Sequence, residues 1–163
     1  LPAWQPPVEQ LRSDSPRDRL ADLIARRIRY MLDSGEILEA RKILHKIKIK
    51  YKNNDDPINS IQTEIANLRN KTDDESVNSY ILIYNLLEFF ESISYYEKIG
   101  YIDFHDVCEM FADISTLYSY FAKLIIDLDP EQNNHLFYEV KRLSEKCSHH
   151  KPTYCWYCRS RCD

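Results

Sequence analysis

The chain has 163 residues, only two of which are glycine, and its formal net charge at pH 7 is −4. This length suits one domain with a buried core, while so few glycines argue against β-sandwiches and nucleotide-binding α/β folds, whose turns depend on glycine. The negative net charge argues against a chain that binds nucleic acid over its whole surface. The charge is uneven, because residues 1–72 hold fourteen Lys and Arg against ten Asp and Glu, residues 73–140 two against fourteen, and residues 141–163 six against two. We expect these oppositely charged parts to attract one another within the fold.

The N-terminal part of the chain is predicted to form an arm followed by three helices. Residues 1–15 are rich in proline and polar side chains, with Trp4 between prolines, which favours an extended arm. A proline then opens a helix over residues 16–34. A second helix is predicted over 36–51, although its last residues, KIKIKYK, alternate as a strand would. Apolar residues at three- and four-residue spacing predict a third helix over 58–69.

The centre of the chain is predicted to supply the core. From Val77 to Ile99 apolar residues lie around most of a helical circumference, as in a helix surrounded by others. Gly100 is a natural helix stop, and a second long helix, Asp103–Leu128, should pack antiparallel to the first. A sixth helix is predicted over 129–147. The sequence thus predicts an all-α domain, a single bundle of about six helices over 16–147.

The segment that begins at Leu86 resembles a family of small bacterial helical proteins of unknown function. The resemblance covers residues 77–128. It is carried by a leucine-rich helix with an FFE-like centre, a turn of the form G-Y/L-I-D and a helix with the spacing V-x-x-x-F. The matching residues are Leu86, Leu87, Phe89, Phe90, Glu91, Gly100, Tyr101, Ile102, Asp103, Val107 and Phe111. Membership implies a helical fold, often with an N-terminal membrane anchor, and brings no catalytic residues.

The C-terminal tail, residues 148–163, is the strongest chemical signal. Four of the five cysteines and two of the five histidines lie within the last seventeen residues. Zinc takes four tetrahedral nitrogen or sulfur ligands, and a C-x2-C spacing places two thiolates on one ion. We predict one structural Zn²⁺ in a zinc-knuckle-like tail, with disulfide bonds or an unliganded tail as alternatives. The candidate ligands are Cys147, His149, His150, Cys155, Cys158 and Cys162.

Other titratable groups carry weaker signals. His105 and Glu109 are four residues apart on a predicted helix and could share an ion, although acidic side chains in a first turn also interact with the helix dipole. Glu88 and Glu91 interrupt the apolar helix and are expected to form a narrow solvated stripe. Cys108 lies on an apolar stripe and is expected to be a core residue.

A basic segment covers residues 26–52 and could bind an external polyanion through phosphate contacts. The alternative is that its side chains pair with the acidic middle of the chain. The candidate anion-binding residues are Arg26, Arg27, Arg29, Lys46, Lys48 and Lys50.

The sequence contains no complete catalytic motif, phosphate-binding loop or H-E-x-x-H pattern. We therefore predict a non-enzymatic interaction or scaffold module that binds a protein partner or forms a homo-oligomer. The alternatives are a nucleic-acid-binding protein that uses the basic helices with the zinc tail, and a small metal-dependent enzyme. No signal-peptide pattern or run of apolar residues long enough to span a membrane is present. A cytoplasmic location is expected, or the cytoplasmic face of a membrane if an upstream anchor has been removed.

Overall fold

The computed structural model describes residues 16–150 and the backbone of two further pairs, 154–155 and 160–161. The described residues form seven α-helices, which confirms the all-α prediction, and α2 is helical through its alternating end. They are α1 (Pro16–Asp33), α2 (Glu36–Lys50), α3 (Pro57–Leu68), α4 (Asp74–Lys98), α5 (Phe104–Met110), α6 (Ile114–Leu128) and α7 (Tyr138–Ser148). In the tail, β1 (Tyr154–Cys155) pairs antiparallel with β2 (Ser160–Arg161). The predicted arm, residues 1–15, lies outside the described residues.

Helix α4 forms the centre of the bundle. It contacts α1, α2, α3, α5 and α7, so its apolar side chains are covered on several sides, as its all-round apolar pattern predicted. The fully buried members include Ile83, Leu86, Leu87, Phe89 and Phe90. Within the described residues, no helix is both long enough and apolar enough to cross a lipid bilayer.

The turn between α4 and α5 follows the prediction. Gly100 has a φ of 83°, the left-handed conformation that glycine adopts without a steric penalty. The N–H of Tyr101 donates to the carbonyl of Tyr96 at 3.1 Å, which closes the helix as a Schellman motif. The carboxylate of Asp103 then accepts the backbone N–H of His105 at 2.8 Å and begins α5.

The prediction of one helix over Asp103–Leu128 is wrong. The backbone leaves helical geometry at Phe111, whose ring makes edge contacts with Phe89 at 5.9 Å and Phe90 at 5.6 Å. Ending α5 there allows this ring to enter the aromatic core, and α6 then packs mainly against α3 and α7. Neither Gly nor Pro marks the break, so the apolar spacing runs through it without a signal.

The predicted start of the sixth helix at Asp129 is also wrong, because residues 129–137 form a loop and α7 begins nine residues later. The Asp129 carboxylate accepts the backbone N–H groups of Asn134 at 3.2 Å and Leu136 at 3.4 Å. These bonds hold the chain in a turn instead of a helix. Three non-glycine residues in the loop adopt positive φ angles, namely Gln132, His135 and Phe137.

The carboxylate of Glu91 caps α7 instead of lying on a solvated stripe. It accepts the backbone N–H of Val140 at 2.7 Å and that of Glu139 at 3.2 Å. Burial raises the pKa of Glu91, although these two hydrogen bonds act in the opposite direction. The expectation for Glu91 is therefore wrong, because α7 has no side-chain cap of its own and obtains one from α4.

Candidate metal centre

A disulfide bond joins α5 to α7 beside the candidate site. Cys108 and Cys147 are bonded, with their Cα atoms 5.6 Å apart, and both residues are buried. Cys108 is a core residue, as predicted, but one half of a disulfide. The prediction of Cys147 as a zinc ligand is wrong for the disulfide-bonded protein, because a disulfide sulfur is not the thiolate that binds a metal.

Three potential metal ligands converge next to this bond. The ligand atoms of His105, Glu109 and His150 all lie within 4.8 Å of one another. The Glu109 Oε1 atom is 3.7 Å from His105 Nε2 and 3.7 Å from His150 Nε2. Two ligands of a tetrahedral zinc ion lie about 3.4 Å apart when both bonds are about 2.0–2.1 Å. Small side-chain rotations would thus bring all three onto one ion.

Local structure fixes the backbone of each ligand. His105 and Glu109 lie one turn apart on α5, whose first turn is capped by Asp103. The backbone N–H of His150 donates to the carbonyl of Cys147 at 3.0 Å, which continues the end of α7. The ring of Phe104 packs edge-on against the imidazole of His150, at 5.7 Å between centroids.

The three ligands differ in their exposure to solvent. The side chain of Glu109 is 9% exposed and that of His150 is 20% exposed, whereas that of His105 is 53% exposed. The Nε2 atom of His150 is buried and has no hydrogen-bond partner among the described residues. A buried nitrogen without a partner is costly, and coordination of an ion would satisfy it. Solvent and an incoming ion can reach the three ligands from the side of His105, which is the most exposed of them.

The donor set favours a transition metal. Two imidazole nitrogens and one carboxylate oxygen suit Zn²⁺; three protein ligands with a fourth position left for water are the pattern of catalytic zinc sites, whereas structural sites have four protein ligands. Mg²⁺ and Ca²⁺ prefer oxygen ligands. The cluster can therefore hold an ion such as Zn²⁺ with one position open.

An ion-pair network that the sequence did not reveal aligns α7 against α4. The buried carboxylate of Glu97 accepts hydrogen bonds from Arg142 Nη2 at 2.6 Å and Lys146 Nζ at 3.1 Å. Burial lowers the pKa of Arg142, but hydrogen bonds to Glu97 and Glu139 outweigh it and raise the pKa overall. Lys146 Nζ also lies 4.2 Å from the centroid of the Phe104 ring. This network fixes the end of α7 from which His150 extends.

The other predicted zinc ligands are not brought into this cluster. His149 is exposed and lies outside the group of three. The side chains of Cys155, Cys158 and Cys162 lie outside the described residues, so a site formed by these cysteines stays a prediction. His150 can serve only one of the two sites.

The predicted anion-binding residues do not form one open surface. Arg27 pairs with Glu88 in the acidic middle of the chain, whereas Arg29 pairs with Asp33 and Lys50 with Glu64. Arg26 has a buried Nε atom without a hydrogen-bond partner in the described part of the chain. Of the six, Lys46 and Lys48 are exposed and form no ion pair with any described residue.

The sequence indicated each of the three ligands but assigned them to two different sites. The spacing of His105 and Glu109 indicated a shared ion, and His150 was a candidate ligand of a different site. Their convergence depends on the packing of α5 beside α7, which no local pattern encodes. No protein-family model, curated protein or solved structure matches this chain, so the resemblance over residues 77–128 stays a prediction.

Proposed function

We propose that this protein is a helical interaction module whose C-terminal end is fastened to the bundle by one Zn²⁺ ion. The ligands are His105, Glu109 and His150. The observation that carries the proposal is the convergence of three ligand atoms from two distant segments within 4.8 Å. The buried Nε2 atom of His150, which has no hydrogen-bond partner among the described residues, supports it.

The position of the ligands favours a structural role for the ion. His105 and Glu109 belong to a short helix, and His150 lies two residues beyond the end of α7, so an ion would join α5 to the end of α7. Several cavities in the described part of the chain, such as the one lined by Arg41, His45 and Tyr120, lie away from these ligands. The open fourth position favours the small-enzyme alternative, which would need a substrate to reach the ion from the exposed side of His105.

Exposed apolar side chains on α1 support the interaction role. Leu23, Tyr30 and Leu32 are each about half exposed to solvent or more, which suits contact with a protein partner or a second copy of the chain. The nucleic-acid alternative is less well supported, because Arg27, Arg29 and Lys50 are engaged with carboxylates.

The disulfide bears on the compartment in which the protein works. Disulfides persist in oxidising compartments and are rare in the cytosol, where thiols are kept reduced. The bond between Cys108 and Cys147 therefore opposes the predicted cytoplasmic location. An oxidising compartment is the proposal that fits it.

Metal titration of the oxidised 163-residue chain tests the proposed site. The tail cysteines are first replaced, so that they do not compete for the ion, by Cys155→Ser, Cys158→Ser and Cys162→Ser. Zn²⁺ should bind at one ion per chain, as measured by calorimetry and elemental analysis. His105→Ala and His150→Ala should each abolish or strongly weaken this binding.

Two neighbouring substitutions provide matched controls. His149→Ala removes an exposed imidazole next to His150, and Asp106→Asn removes an exposed carboxylate next to His105. Both should leave the affinity for Zn²⁺ unchanged. Binding that survives the loss of His105 or His150, or that His149→Ala abolishes, would overturn the assignment.

A further inference from the structure

The disulfide and the metal ligands are interleaved along the same two segments. Cys108 directly precedes Glu109 and follows His105 by three residues, while Cys147 precedes His150 by three residues. Each cysteine is thus within about one helical turn of a ligand. The bond between the cysteines is a covalent link between the two sets of ligands.

The rest of the contact between these segments is slight. Helix α5 has seven residues, which is too short to be stable without tertiary contacts. Beside the disulfide, the described contacts to the end of α7 are the Lys146 Nζ atom over the Phe104 ring, the approach of Glu109 to His150 and contacts between aromatic rings. The imidazole of His150 meets that of His105 at 4.9 Å and the ring of Phe104 at 5.7 Å.

Helix α7 is held independently of α5. Glu91 and Glu97 of α4 bind its first turn and its basic side chains. The position of His150 therefore depends on α4, whereas the distance from His150 to Glu109 depends on how firmly α5 stays beside α7.

We infer that the Cys108–Cys147 disulfide sets the metal affinity of the His105, Glu109 and His150 centre, so that the site is redox-controlled. The inference rests on the proposed function of that centre. In the oxidised protein the bond holds the ligands in position before the ion arrives, which reduces the entropy lost on binding. Reduction by a dithiol transfers two electrons and two protons to the pair, giving two thiols and the oxidised dithiol.

The freed thiols do not replace the lost constraint. Both cysteines are buried among core residues, and neither sulfur belongs to the cluster of ligand atoms. Loss of groups that orient metal ligands commonly costs about 10–100-fold in affinity. We expect reduction to weaken Zn²⁺ binding at least about tenfold on the same basis.

The test compares the dissociation constant for Zn²⁺ in three forms of the full chain, all with the tail cysteines replaced by serine. The first form is the oxidised protein and the second is the same protein reduced with a phosphine. The third is the variant Cys108→Ala/Cys147→Ala, measured in the buffer used for the oxidised protein. The phosphine takes oxygen from water to become its oxide while the disulfide becomes two thiols. Circular dichroism confirms that the helices persist in each form.

A fourth variant separates the local constraint from overall stability. Ile65→Ala weakens the core at α3, a helix that packs on α6, α4 and α2 and carries neither the disulfide nor a ligand, so its affinity should match that of the oxidised parent. Weaker binding in both the reduced protein and the double variant is the expected result.

The other outcomes each decide the matter. Equal affinity in all forms would overturn the redox control and leave the proposed metal site standing. Tighter binding after reduction, absent in the double variant, would show that the thiols are ligands and would also overturn it. No binding by the oxidised protein would overturn the proposed function and, with it, this inference.

Discussion

Reduction of the Cys108–Cys147 disulfide should destabilise the fold by an amount set by the length of the loop that the bond closes. The bonded residues are separated by 39 positions. Closing a loop of that length in the unfolded chain removes entropy worth about 4 kcal/mol at 25 °C in the loop-closure treatment. We therefore expect the free energy of unfolding to fall by about 4 kcal/mol on reduction.

Urea denaturation followed by circular dichroism measures this difference. The comparison uses oxidised and phosphine-reduced protein in which the three tail cysteines are serine, so that only this disulfide changes. The Cys108→Ala/Cys147→Ala variant should show a loss of similar or greater size, since it also leaves space where two buried sulfurs were. A fall below about 1 kcal/mol, the scale of ordinary surface changes, would show that this disulfide does not constrain the unfolded chain. Peptide mapping that finds both thiols free in protein kept under oxidising conditions would also refute the prediction.

Three further changes test the packing around α4. Phe90→Ala removes a ring that is 1% exposed and should cost about 3–5 kcal/mol of unfolding free energy in urea; a cost near zero would place the ring outside the core. Burial raises the pKa of Glu91, so its contribution to stability is full below the unfolded pKa and is lost as pH rises through the folded pKa. Glu91→Gln should remove that loss, and parallel stability–pH curves for the two proteins would contradict it. Asp73 caps α4 by accepting the N–H of Ser76 at 2.9 Å, so Asp73→Ala should lower stability by about 1 kcal/mol; an unchanged urea midpoint would show that the cap contributes nothing.

Helix positions followed from the sequence where the signal was local. The all-round apolar pattern of α4 and the glycine at its end predicted a central helix and its stop at Gly100, since both depend on residues within a few turns. The break at Phe111 was missed because its cause is an aromatic contact with Phe89 and Phe90, residues that lie on another helix. The helix predicted to begin at Asp129 starts later, because the Asp129 carboxylate instead accepts hydrogen bonds from backbone groups of its own loop.

The candidate site was predictable only in pieces. The spacing of His105 and Glu109 suggested a shared ion, because residues four apart on a helix face the same side. Cys147 and His150 were predicted as ligands of the zinc site of the tail, because the other cysteines are near them in sequence. Their true neighbours lie on α5, about forty positions earlier, and only the packed bundle brings them together.

Anomalous X-ray diffraction from crystals of the 163-residue chain grown with Zn²⁺ is the most direct test of the proposed zinc site. Data collected on both sides of the zinc absorption edge locate the ion without reference to activity. We expect one peak about 2.0–2.2 Å from the Nε2 atoms of His105 and His150 and from the carboxylate of Glu109. A peak held only by the tail cysteines, or none beside His150, would contradict the proposed site.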